Sequence, residues 1–208
     1  MDFENFVLMF CNGDPPSRDR VRNLIPRPTF IACADGGANK SASLGYKPNL
    51  VVGDLDSFTN TGREFEDAEI VRIDSQDNTD FEKTLNLLLG RDFREFLVFS
   101  FSGGRIDQTL ANLQIAYEYS KKCRIVLADN QYLVFPASKD LSLDIFGDVE
   151  VSIIPMEDGT TVSTKGLAYG LHGAVLKKGG QGISNRATGD KIEITVHKGG
   201  VLVFVKDA

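Results

Sequence analysis

Between residue 5 and about residue 128 the chain alternates short apolar runs with amphipathic stretches, and no other feature narrows its possible folds as far. The runs Phe6-Val7-Leu8-Met9-Phe10, Thr29-Phe30-Ile31-Ala32-Cys33, Leu50-Val51-Val52, Ile70-Val71-Arg72-Ile73, Phe96-Leu97-Val98-Phe99 and Arg124-Ile125-Val126-Leu127 are rich in β-branched or aromatic residues and end at turn residues. Short strands alternating with helices predict a parallel sheet. Two of the intervening segments repeat at helical spacing: Phe81, Leu85, Leu88 and Leu89, then Ile106, Leu110, Leu113 and Tyr117. Each is expected to turn one apolar stripe onto the sheet.

The pattern changes after Asp129-Asn130, where Gly and Thr become frequent and long helical periodicity stops. Alternating runs such as Val149-Glu150-Val151-Ser152-Ile153 and Ile192-Glu193-Ile194-Thr195-Val196 replace it, with turn signals at Glu157-Asp158-Gly159, Lys178-Gly179-Gly180 and Lys198-Gly199-Gly200. The expectation is an α/β domain over residues 1–129 and a small all-β sandwich or barrel over residues 130–208. A chain of 208 residues is long enough for each to bury a core.

With 23 basic against 29 acidic residues the formal charge is −6, and the basic clusters Lys121-Lys122-Cys123-Arg124 and Lys177-Lys178 are short. That balance argues against nucleic acid and suits a cationic small molecule. Cys11, Cys33 and Cys123 lack metal-ligand spacing and are expected to be reduced. No signal peptide and no bilayer-length apolar run is evident, so a cytoplasmic protein without a membrane partner is expected.

Chemistry gathers where strands end. Gly53-Asp54-Leu55-Asp56-Ser57 follows one strand, and in extended backbone Asp54 and Asp56 would point to one side, as a clamp for a hard divalent cation. A solvated turn with an Asx cap at Asp56 explains the same letters. In Gln76-Asp77-Asn78-Thr79-Asp80-Phe81-Glu82-Lys83, Thr79 and Glu82 have the spacing of a capping box. Asp80 and Lys83 then share a helical face, fit for a metal and a phosphate or for a simple ion pair. Ser102-Gly103-Gly104-Arg105-Ile106-Asp107 joins a strand to a helix, and its glycines can offer backbone N–H groups to phosphate oxygens beside the Arg105 guanidinium. Ala34-Asp35-Gly36-Gly37-Ala38-Asn39 is a fourth such junction, readable also as a tight turn. Acids at successive junctions on one sheet edge favour a Mg-nucleotide crevice. Walker and Gly-x-Gly-x-x-Gly fingerprints are absent, and His172 and His197 are isolated.

Taken in order, these four motifs with Gly166-Leu167-Ala168-Tyr169-Gly170-Leu171 and Gly182-Ile183-Ser184-Asn185 resemble the thiamin pyrophosphokinase (thiamin diphosphokinase) family over most of the chain. The resemblance implies a Rossmann-like ATP-binding domain, a β-rich thiamin-binding domain and a homodimer. It implies Mg²⁺ on Asp54, Asp56 and Asp80, and polyphosphate on Lys83 and Arg105, with Asp35, Gly36, Gly37, Ser57, Gly103 and Gly104 beside it. Thiamin falls to Gln76, Tyr169, Ser184 and Asn185, with Asp107 in the same crevice. Tyr169 stands where some members carry Trp, and Lys165 where Thr is frequent. The implied reaction passes the β,γ-pyrophosphoryl group of ATP to the thiamin hydroxyl and releases AMP, with Asp80 or Asp107 as candidate proton acceptor. Two alternatives remain: a Mg-dependent pyrophosphokinase or phosphohydrolase for another heterocycle, and a non-catalytic thiamin- or nucleotide-binding module.

Overall fold

Ten strand-and-helix elements follow the alternation up to residue 128 in a computed structural model, which describes residues 3, 5–59, 62–145 and 147–206. They are β1 (Val7–Phe10), α1 (Arg18–Leu24), β2 (Ile31–Ala34), α2 (Gly37–Ser43), β3 (Leu50–Gly53), β4 (Glu69–Arg72), α3 (Asp80–Gly90), β5 (Glu95–Phe99), α4 (Ile106–Ser120) and β6 (Arg124–Ala128). The chain divides into two compact units, one of Asp2–Ile115 with Cys123–Asn130 and the other of Ala116–Lys122 with Gln131–Ala208. Together they make a mixed α/β protein.

In the first unit the six strands lie in the order β6-β5-β1-β2-β3-β4, every pair parallel. Strands β1, β2 and β3 are buried throughout, as expected where a sheet is covered on both faces. The edge strand β4 is mostly exposed, and Arg91 grips its Glu69 with two hydrogen bonds of 2.7 and 2.6 Å, charges that discourage edge pairing. Chain order reverses between β1 and β5, the place where open α/β sheets leave a crevice beyond the carboxyl ends of their strands.

The two long helices differ. On α3, Phe81, Leu85 and Leu88 are buried as the stripe predicts, and Thr79 and Glu82 complete the capping box. On α4 only Ala116 and Tyr117 are buried; Ile106 and Leu110 are 86% and 57% exposed. The expectation that both stripes face the sheet therefore fails for the first turns of α4. Periodicity marks a face that can be covered, and nothing in it names the cover.

The second unit continues with β7 (Tyr132–Ala137), β8 (Leu141–Asp144), β9 (Glu150–Pro155), β10 (Thr161–Lys165), β11 (Ala174–Val175), β12 (Asn185–Arg186), β13 (Lys191–Lys198) and β14 (Val201–Lys206). Its strands pair antiparallel in two sets, β12-β9-β14-β7 and β11-β10-β13-β8. Burial alternates strictly along β9, the mark of a one-sided sheet. Gly159, Gly179 and Gly199 have φ of 73°, 126° and 71°, so each predicted turn holds a glycine in backbone that other residues rarely adopt. Tyr117, in the last turns of α4, donates to Glu157 at 2.5 Å within this unit.

Candidate active site

The carboxyl ends of the parallel strands open into a cavity of about 590 Å³ lined by Asp35, Asp54, Asp56, Gln76, Asp80, Lys83 and Arg105 among others. Sequence position explains the gathering, because parallel strands put all their carboxyl ends on one side. The local backbone does the rest. Among the described residues, five that are not glycine have φ in the left-handed region, and four lie at or beside the predicted motifs: Asp35 (44°), Leu55 (68°), Ser100 (55°) and Ser184 (56°). Such backbone costs on the order of 1 kcal/mol per residue and concentrates at functional sites.

Leu55 corrects one expectation. Asp54 and Asp56 do not alternate along an extended strand, since β3 ends at Gly53. The left-handed turn at Leu55 folds the loop back instead, so the Asp56 amide donates to Asp54 Oδ1 at 3.3 Å. Oxygens of Asp35, Asp54 and Asp56 lie within 4.8 Å of one another. Asp35 is only 4% exposed and its Oδ1 has no hydrogen-bond partner. Burial pushes its pKa up, against hydrogen bonds from the Gly36 amide and Ser57. The pKa of Asp54 is lowered, first by the Asp56 amide. An orphaned buried carboxylate oxygen beside two more carboxylates fits an oxygen-loving divalent cation.

Asp80 belongs to the same crevice. A Cβ on Gly53 would sit 2.7 Å from Asp35 Cβ and 3.3 Å from Asp80 Cγ, so glycine there lets the two acids close in. The Asp80 carboxylate accepts from Lys83 at 2.9 Å, and Lys83 is 6% exposed. The pair is thus largely buried and unlike a surface ion pair. Arg105 grips Asp107 through two hydrogen bonds of 3.1 and 2.5 Å, with both side chains about two-thirds exposed. This contact lowers the pKa of Asp107. Gln76 reaches Asp54 Oδ2 at 3.5 Å. Ser57 donates to Asp56 at 2.9 Å, and Asn39 holds the loop by donating to the Ser57 carbonyl at 2.8 Å.

The glycines serve separate ends. A Cβ on Gly37 would collide with the Phe10 carbonyl, a packing constraint between α2 and β1, whereas the three atoms nearest a Cβ on Gly36 all belong to the Asn12 side chain. Gly103 and Gly104 have φ of 102° and 64° and shape the loop before α4. Asn112, from the second turn of that helix, donates to the Phe101 carbonyl at 2.8 Å and fixes the loop's start. Asn39 stands inside one of the sequence motifs without a role of its own, and Asn12 lies outside them because they follow acids and glycines. The one signal for Asn12 is position, two residues past the end of β1.

In the second unit Tyr169 is 73% exposed and Asn185 is buried. The Asn185 carboxamide accepts from the Tyr169 amide at 3.0 Å and donates to the Tyr169 carbonyl at 2.8 Å. It also accepts from the Arg186 amide at 2.9 Å. These bonds fill Oδ1 and use one of the two Nδ2 hydrogens, so Asn185 holds Tyr169 and keeps one donor for another partner. Ser184 is exposed, its amide donating to Ser152 Oγ at 3.0 Å.

Known proteins carry the same layout. Residues 21–127 match the family model for the thiamin pyrophosphokinase catalytic domain, and residues 143–201 match that for the thiamin pyrophosphokinase vitamin B1 binding domain. Thiamine pyrophosphokinase 1 of Oryza sativa subsp. japonica is 28% identical over 185 residues, covering 74% of this chain and 70% of the relative. The solved thiamin pyrophosphokinase of Candida albicans superposes with a TM-score of 0.83 at 19% identity, covering 99% of this chain and 91% of that one. The thiamine pyrophosphokinase of Bacillus subtilis gives 0.80 at 20% identity, covering 98% and 99%. Because the two family models match consecutive stretches that together span most of the sequence, the chain belongs to the thiamin pyrophosphokinase family.

Proposed function

We propose that this chain is an ATP:thiamin diphosphotransferase, moving the β,γ-pyrophosphoryl group of ATP to the thiamin hydroxyl and releasing AMP. The observation that carries the reading is the convergence of Asp35, Asp54 and Asp56 in one cavity with Lys83 and Arg105, inside the part matched by the catalytic-domain model. The Rossmann-like first domain, residues 1–129, takes ATP, and residues 130–208 take thiamin. Asp54, Asp56 and Asp80 hold Mg²⁺, with Asp35 as a fourth carboxylate beside them. When bound, the cation neutralises phosphoryl charge and orients the triphosphate.

The remaining steps fall to the chain's own groups. Arg105 leaves Asp107 for the phosphates, where a bidentate guanidinium matches their oxygens. Freed of that cation, Asp107 becomes the more basic carboxylate and takes the proton from the thiamin hydroxyl. Lys83, beside Asp80, turns its ammonium to the polyphosphate as the second cation of the crevice. Positioning and charge neutralisation provide most of the acceleration. Gln76, Ser184 and Asn185 hold thiamin through polar contacts, and Tyr169, kept in place by Asn185, offers its ring to the thiazolium at roughly 0.5–2 kcal/mol.

The enzyme works in the cytoplasm as a homodimer, each site shared between subunits. Among the described residues no helix is long and apolar enough to cross a membrane. Incubation with ATP, Mg²⁺ and thiamin, with nucleotides resolved, tests the reading. AMP should form only when thiamin is present; ADP as the main product would refute pyrophosphoryl transfer.

A further inference from the structure

Asn12 follows β1, at the point where strand order reverses, and its side chain lines the acidic cavity. Two observations single it out. Among the described residues its carboxamide makes no hydrogen bond, although it is packed against backbone at Gly36. A Cβ built on Gly36 would come within 2.5–2.6 Å of Asn12 Nδ2, Cγ and Oδ1, and its three nearest atoms all belong to that side chain. Gly36 itself has φ −60° and ψ −8°, a conformation open to any residue. Backbone freedom therefore does not require glycine there; room for Asn12 does.

Charge says what the carboxamide serves. Asp35, next to Gly36, belongs to the carboxylate cluster, and the cavity's two cations are already engaged, Lys83 with Asp80 and Arg105 with Asp107. A polyphosphate entering among these acids draws those cations from their partners, and beside them it gains from a donor that is neither negative nor committed beforehand. We propose that Asn12 is a nucleotide-binding residue whose Nδ2 donates to the triphosphate of ATP, and that Gly36 is the positioning residue that makes room for it. The inference rests on the phosphoryl-transfer reading above and adds to it a neutral phosphate contact from β1 and a distinct role for Gly36. Gly36 thereby acts through a side chain, and not by lending its own amide to the phosphates.

Calorimetric titration of the full chain with Mg·ATP and with Mg·tripolyphosphate, without thiamin, tests both halves. Asn12→Ala should weaken both ligands by a similar factor, roughly tenfold to a hundredfold for one hydrogen bond to a charged group. Asn12→Asp, which removes the donor and adds charge, should weaken them further. Gly36→Ala should weaken both as Asn12→Ala does, because the new methyl displaces the carboxamide, and the double variant should be no worse than either single one. Thermal melting of all variants should match the unaltered chain, since only an exposed side chain moves.

Unchanged affinity in Asn12→Ala overturns the proposal. So does a loss seen with ATP and not with tripolyphosphate, or tripolyphosphate failing to bind a chain that binds ATP, for then the carboxamide serves the nucleoside. Additive losses in the double variant overturn the role of Gly36. If the unaltered chain binds neither ligand, the phosphoryl-transfer reading falls and this inference falls with it.

Discussion

Helices α3 and α4 leave the same sheet edge, each behind a motif that carries an acid and a base, yet they spend their apolar faces differently. Helix α3 buries Phe81, Leu85 and Leu88, and draws Lys83 inward onto Asp80. Helix α4 buries only its end, at Ala116 and Tyr117, and leaves Ile106, Leu110 and Asp107 exposed, as is Arg105 just before it. The first helix builds a rigid wall for the crevice. The second carries its charged pair where a ligand can rearrange it. The site proposed above, which would hold a metal and also exchange partners during turnover, would use both kinds of support.

The largest test of this contrast is Leu85→Ala. Deleting a fully buried leucine should cost about 2–5 kcal/mol in denaturant unfolding, the transfer loss plus the cavity left behind. A cost below 1 kcal/mol would mean that the α3 face is not core. Next comes the charge on each helix. Lys83→Ala strands Asp80 in a half-buried position and should cost about 1–3 kcal/mol of stability together with activity. Arg105→Ala should leave the melting midpoint where it is while kcat/KM falls, because its pair with Asp107 is solvated. Equal stability losses in the two variants would erase the distinction between wall and exchanger.

Much of this was legible in the sequence, and the exceptions have causes. The six parallel strands, the capping box at Thr79 and Glu82, and the glycine turns depend on local patterns of two to eight residues, and these the letters carry. The gathering of Asp35, Asp54, Asp56 and Asp80 was legible too, because parallel order fixes where strand ends meet. The turn at Leu55 was not, since a leucine in left-handed backbone contradicts local preference and is held there by its surroundings. The amide-for-amide match of Asn185 to Tyr169 was not legible either, because it appears only when residues 16 apart are brought together. Asn12 drew no notice because the motifs were sought among acids and glycines, and a neutral side chain gives no such signal.

The end of α4 offers a test of intermediate size. Tyr117 packs so closely on Gly200 that a Cβ there would overlap its ring, and its hydroxyl donates to Glu157 beside Lys121. Burial and the Glu157 carboxylate both raise the pKa of Tyr117, so the phenol stays protonated and donates throughout the physiological range. Tyr117→Phe should cost about 0.5–1.5 kcal/mol in thermal unfolding, the net value of an ordinary hydrogen bond, because Phe retains the packing and Glu157 keeps its pair with Lys121. No loss at all would show that packing alone anchors the helix end.

The smallest effect on stability, and the sharpest on the comparison, is expected at Leu110. Its spacing from Leu113 and Tyr117 is as regular as that of Leu85 from Leu88, but it is 57% exposed where Leu85 is fully buried. Leu110→Asn should therefore change unfolding free energy by no more than about 0.5 kcal/mol at concentrations where the chain is monomeric, as surface substitutions do. If the proposed homodimer covers this face, the same change should shift sedimentation from dimer towards monomer, because a buried leucine becomes a polar group without a partner. Leu85→Ala should move the other way, weakening the fold while the protein that remains folded still associates. Sedimentation of Leu110→Asn identical to that of the unaltered dimer would show that the exposed stripe of α4 faces solvent in the dimer as well. The difference between the helices would then lie in the fold of one chain and owe nothing to assembly.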